Sequence, residues 1–236
     1  MRSSIIVRRG FAVVVFAAIT VFGGLSWSQA EVQRDGRIVA APTGHPWRSI
    51  GRVNLAGYRL RRHCTGTLIA HDRVLTARHC LLGLRPGGGV GLVSPREVHF
   101  LPGYARGEHL GHYRGVAFET IGGEAMLVRL DRSVLEAPVA VTRRTPAVGG
   151  ALFQAGYSND RGQVLTVDPA CRYLGPSPDG YWRHDCEAIA GDSGAPILID
   201  TAEGLAIAAI HVGRRGGTGL AEPIDPARLT TGAASP

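Results

Sequence analysis

Three short stretches of this chain hold side chains whose types could do chemistry together. His79 ends the run Val74-Leu75-Thr76-Ala77-Arg78-His79-Cys80, and Ser193 sits inside Gly191-Asp192-Ser193-Gly194-Ala195-Pro196. The third stretch, Glu124-Ala125-Met126-Leu127-Val128-Arg129-Leu130, sets a carboxylate immediately before a buried-looking strand. A neutral Ser hydroxyl is a weak nucleophile. It must pass its proton to a base with a pKa near 7, and His supplies one without tuning. Gly on each side of the Asp-Ser pair allows a tight turn that projects the hydroxyl and aims backbone N–H groups at one point. The arrangement is not the Gly-x-Ser-x-Gly elbow of α/β-hydrolases, because Ala195 stands two residues after Ser193. Each stretch alone says little, since a lone Gly-Asp-Ser-Gly is usually a turn and a lone His beside Cys is usually structural. Their co-occurrence is the informative observation.

The elements that must position these residues read as strands. Apolar or alternating runs recur at Ser49–Leu55, Thr65–Ile69, Arg73–Ala77, Ala125–Leu130, Val139–Thr142, Ala151–Ala155, Ala195–Ile199 and Leu205–His211, each bounded by turn-forming residues. A strand from Thr65, a polar turn at His71-Asp72-Arg73 and a second strand would deliver His79 to a sheet end. The same hairpin would bring Cys64 and Cys80 together across its neck. Glycine fills 33 of 236 positions, about twice the ordinary share, while 44% of residues are hydrophobic. That balance excludes a coiled coil and a disordered chain. Antiparallel barrels or a sandwich remain, with a division near residues 136–150.

The first thirty residues read as a leader rather than as part of the fold. Arg2, Arg8 and Arg9 precede an apolar run from Phe11 to Leu25, and Ser28-Gln29-Ala30 offers small residues at a cleavage site. Residues 1–30 are therefore expected to be a signal peptide, with an uncleaved membrane anchor as the alternative. All 26 cationic side chains are Arg, and the formal charge is +7. Three of those seven belong to the leader, so the remainder carries a modest, dispersed +4. No nucleic-acid partner follows from it. Export to a secreted or periplasmic location makes the four Cys more suited to two disulfides than to a metal site. His99, His109 and His112 match no zinc spacing, and no metal or other cofactor is expected.

With those residues in view, the chain resembles the chymotrypsin/trypsin-like serine peptidases, in particular the secreted bacterial branch near the glutamyl-endopeptidase-like enzymes. The stretch CTGTLI…VLTARHC is similar to the family's histidine motif, with Arg78 where Ala is usual. GDSGAP is similar to its serine motif, with Ala195 where Gly is usual. The resemblance covers about Ile38 to Ile224. It implies an all-β fold of two antiparallel six-stranded β-barrels, residues 38–140 and 141–236, with the active site in the cleft between them. It implies His79 as general base and then acid, Ser193 as nucleophile, and the N–H groups of Gly191 and Ser193 as oxyanion hole. Glu124 takes the place of the family's Asp, where an extra methylene shifts the carboxylate by ~1.5 Å. The implied activity is endopeptidase hydrolysis of polypeptides through an acyl-enzyme, by a monomer that leaves the membrane once the leader is cut. A catalytically impaired homologue acting as a binding module is the alternative, because the acid and two motif positions depart from the norm.

The resemblance also bears on bridges, substrate and activation. Four Cys allow three pairings, and the family favours Cys64 with Cys80 and Cys171 with Cys186. His211-Val212-Gly213 falls where the family's substrate-binding strand begins, and glutamyl endopeptidases carry a similar Ile-His-x-Gly whose His contacts an acidic side chain. Against this, Glu187 stands six residues before Ser193, where an acid favours basic substrates in trypsin-like members. The expectation adopted is acidic or small substrate side chains. Finally, residues 31–37 read as a short pro-segment. Cleavage after Arg37 would free an ammonium at Ile38 to pair with Asp192, and a frayed terminus is the alternative.

Overall fold

The computed structural model describes residues 36–56, 61–84 and 87–230. The leader at 1–30 and most of the 31–37 segment lie outside the described residues. Among the described residues fifteen strands follow one another, beginning with β1 (Ile38–Ala40), β2 (Ile50–Ala56), β3 (Arg61–Ala70), β4 (Arg73–Ala77), β5 (Leu82–Leu84), β6 (Val90–Leu92), β7 (Val98–Pro102) and β8 (Tyr113–Gly122). After them come β9 (Ala125–Leu130), β10 (Ala151–Gly156), β11 (Leu165–Pro176), β12 (Trp182–His184), β13 (Pro196–Thr201), β14 (Gly204–Arg215) and β15 (Thr218–Pro223), with one short helix at Pro226–Thr230.

Two antiparallel barrels result. The first closes in the order β2-β3-β4-β9-β8-β7. In the second, β11-β10-β13-β14-β15-β12 run side by side and a β11–β12 pairing completes the ring. β1 adds to the free flank of β11, with Ile38 opposite Val167. Closure removes the unpaired sheet edges that would otherwise invite association.

Strands β4 and β9 occupy the residues read from sequence, and both are buried on nearly every position. Runs without polar alternation suit them, because Leu75, Met126 and Leu127 pack into one apolar cluster with Leu68 and Phe100. A second cluster gathers Leu152, Trp182, Ile197 and Ala209 inside the other barrel. Val139–Thr142, expected as a strand, is corrected to an extended linker with a single parallel bridge from Val141 to Ile207. Its N–H groups divide between the barrels: Val139 donates to Leu68 O and Thr142 to Ile207 O, each at 2.8 Å. A linker serving both sheets cannot keep a ladder with either.

Candidate active site

Sheet register brings the first two candidate residues together. β4 and β9 are antiparallel with Ala77 opposite Ala125, so the chain leaving β4 meets the chain entering β9. His79 follows β4 in a short 3₁₀ turn, Arg78–Leu81, and Glu124 immediately precedes β9. The imidazole Nδ1 lies 2.9 Å from Glu124 Oε2, and the His79 backbone N–H donates to the same oxygen at 3.3 Å. Arg78 N–H donates to Glu124 O at 2.6 Å, locking the two turns. The longer side chain of Glu is therefore accommodated without losing contact with the ring. The other acids near this strand are committed elsewhere: Glu119 accepts from Arg73 and Asp131 from Arg132.

A residue that the sequence did not suggest supports Glu124 from behind. Glu222, on β15, accepts the Glu124 N–H, and Gly123, at φ +57°, leaves no room for a Cβ beside that carboxylate. Burial raises the Glu222 pKa, while the backbone donors of Glu124 and Ala125 lower it. Only three-dimensional pairing of the barrels reveals this contact, because the two Glu lie far apart in sequence.

Ser193 is delivered from the second barrel by a turn tied to the first. Thr65 on β3 donates its N–H to Ser193 O at 2.9 Å and its hydroxyl to Gly191 O at 3.1 Å. Gly191 and Gly194 have φ of +100° and +80°, values that L side chains rarely adopt. A Cβ on Gly194 would overlap Thr65 O and Thr76 Oγ1. Both glycines of the motif are thus required by backbone shape and by close approach. Asp192, Gly194 and Ala195 spend their N–H groups on Ile189, His211 and Asp192 carbonyls. Those of Gly191 and Ser193 have no acceptor among the described residues.

The disulfides bracket the same region. Cys64–Cys80 joins β3, next to Thr65, to the turn that holds His79. Cys171–Cys186 joins β11 to the segment leading toward Ser193. Ser193, Gly191 and His79 line one open cavity of about 320 Å³ together with Arg62, His63 and Asn159. Two larger cavities, of about 560 and 760 Å³, include neither His79 nor Ser193, so chemistry rather than size identifies the site.

The remaining candidates lie around this centre. His211 is buried on β14, its Nδ1 3.1 Å from His184 Nε2. Burial lowers both imidazole pKa values, that of His184 to about 4, and the Arg214 charge adds to the effect. Arg214 is held by the carbonyls of Ala188 and Gly217. A Cβ at Gly213 would meet open space. Glu187 is half-buried and its N–H donates to Asp168 Oδ2 at 2.8 Å. Ile38 lies in β1, 53% exposed, whereas Asp192 is 1% exposed and held by Ser158 and Ile189.

The trypsin-like peptidase domain family matches residues 64–208, a span that takes in Cys64, His79, Glu124 and Ser193. This chain belongs to that family. The trypsin-like peptidase resembles human serine protease 56, 31% identical over an alignment of 202 residues that covers 72% of this chain and 33% of the relative. The chain thus spans about a third of that relative's length. Among solved structures, a Glu endopeptidase in complex with MPD aligns at TM-score 0.68 and 18% identity, covering 84% of this chain and 95% of the other. The protease Anisep from Arthrobacter nicotinovorans aligns at TM-score 0.62 and 16% identity, covering 83% and 96%. Identities this low establish the shared two-barrel fold alone. Fold and family are those of a trypsin-like peptidase domain.

Proposed function

We propose that this chain is an exported serine endopeptidase in which His79, Glu124 and Ser193 act as one unit. The observation that carries the reading is the 2.9 Å contact of His79 Nδ1 with Glu124 Oε2 beside a cavity shared by His79 and Ser193. Glu124 accepts a hydrogen bond from the Nδ1–H, which leaves Nε2 as the base that removes the Ser193 proton. The Ser193 oxygen attacks the peptide carbonyl, and the oxyanion forms against the N–H groups of Gly191 and Ser193. One such preorganised donor is worth about 3 kcal/mol of barrier. His79 then gives its proton to the leaving amine, and an acyl group remains on Ser193. Water, deprotonated by the same imidazole, adds to the ester carbonyl, and collapse returns the free hydroxyl and releases the acid.

Residues 1–30 act as the export signal, and an oxidising destination suits the two disulfides. The substrate is a polypeptide, with a preference for acidic or small side chains beside the His211 and Arg214 end of β14. Covalent labelling by a serine-directed phosphonate tests the core of the proposal. The purified protein should gain one adduct, absent from Ser193→Ala. Correctly folded protein that takes no label would overturn the reading and favour a binding module.

A further inference from the structure

Asp192 presents an electrostatic problem that the peptidase reading does not solve by itself. Its carboxylate is buried beside Ser193, where desolvation is costly unless partners compensate. Ile189 N–H donates to Oδ2 at 3.0 Å, and Ser158 Oγ reaches Oδ1 and Oδ2 at 2.9 and 2.8 Å. Behind Ser158 stands a cation. Arg37, only 4% exposed, donates from its guanidinium to Ser158 Oγ at 2.6 Å and to Asp160 Oδ2 at 2.6 Å. The hydroxyl thus accepts from Arg37 while donating to Asp192, a charge-assisted relay. Burial raises the Asp192 pKa to about 6, and the Arg37 charge works against that rise.

β1 is what delivers the guanidinium. Ile38, Val39 and Ala40 pair with Val167, Thr166 and Leu165, so the residue just before the strand enters beside the Ser158 turn. The same geometry speaks against cleavage after Arg37. A protease reading this bond would need the Arg37 side chain in its own pocket, whereas here that side chain is enclosed.

We propose that Arg37 is a positioning residue: through Ser158 it holds Asp192, and with it the Gly191–Gly194 turn, ordered in the uncleaved chain. The inference rests on Ser193 being the nucleophile of that turn. It makes a new amino terminus at Ile38 unnecessary for an ordered oxyanion hole.

The test compares wild type with Arg37→Ala, Arg37→Lys and Ser158→Ala by peptide-hydrolysis kinetics and by hydrogen exchange of the 189–195 amides. A turn misplaced by about 1 Å costs ~100-fold in rate, so kcat of Arg37→Ala should fall by about that factor with KM changed far less. Exchange should rise in the 189–195 amides while strands β4 and β9 stay protected. Arg37→Lys should recover part of the loss, and added methylguanidinium should do the same for Arg37→Ala. If Arg37→Ala fails to fold, Ser158→Ala, which cuts the relay without removing the cation, gives the same readings. Unchanged kcat and exchange in a folded variant would overturn the proposal. So would mass spectrometry showing that the active form begins at Ile38. Should wild type lack Ser193-dependent turnover, the peptidase reading fails, and the exchange measurement still decides the role of Arg37.

Discussion

The two barrels bury different kinds of polar group. Among the described residues, the polar side chains enclosed in the first are hydroxyls: Ser49, Thr65, Thr67 and Thr76. In the second barrel and the strand β1 that joins it, Arg37, Asp168, His184, Asp192 and His211 are enclosed. Hydroxyls cost little to bury once hydrogen-bonded, whereas charges and imidazoles must be paired or kept neutral. The first barrel is thus an apolar frame that presents His79 and Glu124 at its strand ends. Its partner holds Ser193, the proposed nucleophile, and carries the charged and imidazole groups packed around the Gly191–Gly194 turn.

The largest expected stability effect tests the apolar frame. Leu127→Ala removes a fully enclosed side chain from the centre of β9, and such truncations cost about 2–5 kcal/mol. Urea unfolding should show that loss, and a cost below 1 kcal/mol would mean the frame is not held by its core.

A pH experiment sharpens the contrast from the other side. The His184 pKa is lowered from 6.5 to about 4, so the folded chain refuses a proton that the unfolded chain accepts below pH 6.5. Stability from this group is therefore complete above pH 6.5 and is lost as pH falls toward 4, a total of about 3 kcal/mol. Asp192, with its pKa raised to about 6, works in the opposite sense over an overlapping range. Comparing wild type with His184→Asn at pH 7.5 and pH 4.5 isolates the imidazole. The advantage of wild type should shrink by about 3 kcal/mol on acidification. A difference that does not move with pH would remove His184 from the account.

The smallest effect concerns the rim of the first barrel. Arg73 and Glu119 pair at 3.2 Å but Arg73 is a third exposed, so Arg73→Ala should cost less than ~1 kcal/mol in thermal unfolding. A larger loss would mean that ion pairs, not the apolar core, hold this barrel.

How far these features could be read from sequence depended on which force makes them. Strands β4 and β9 were legible because uninterrupted apolar runs leave little choice of structure. β11 was not, since Asp168 and Pro169 interrupt it and only pairing on both flanks, with a third partner at its end, makes it a strand. β8 was hidden by its two Gly and by Glu119. At the site, the Gly191–Gly194 motif carried its own backbone requirement, so Ser193 stood out. Arg37, Ser158 and Glu222 carry no motif. Their importance comes from long-range burial beside Asp192 and Glu124, which no local pattern encodes.

The central claim is that Glu124, contributed by the apolar barrel, orients His79 toward a nucleophile contributed by the other. The kcat of Glu124→Gln tests it most directly, because an amide can present its N–H to Nδ1 and favour the wrong tautomer while hardly changing shape. The expected result is a fall of roughly 10³–10⁴-fold, with Glu124→Asp keeping or raising activity. Glu124→Gln within a few-fold of wild type, while Ser193→Ala is inactive, would contradict the account.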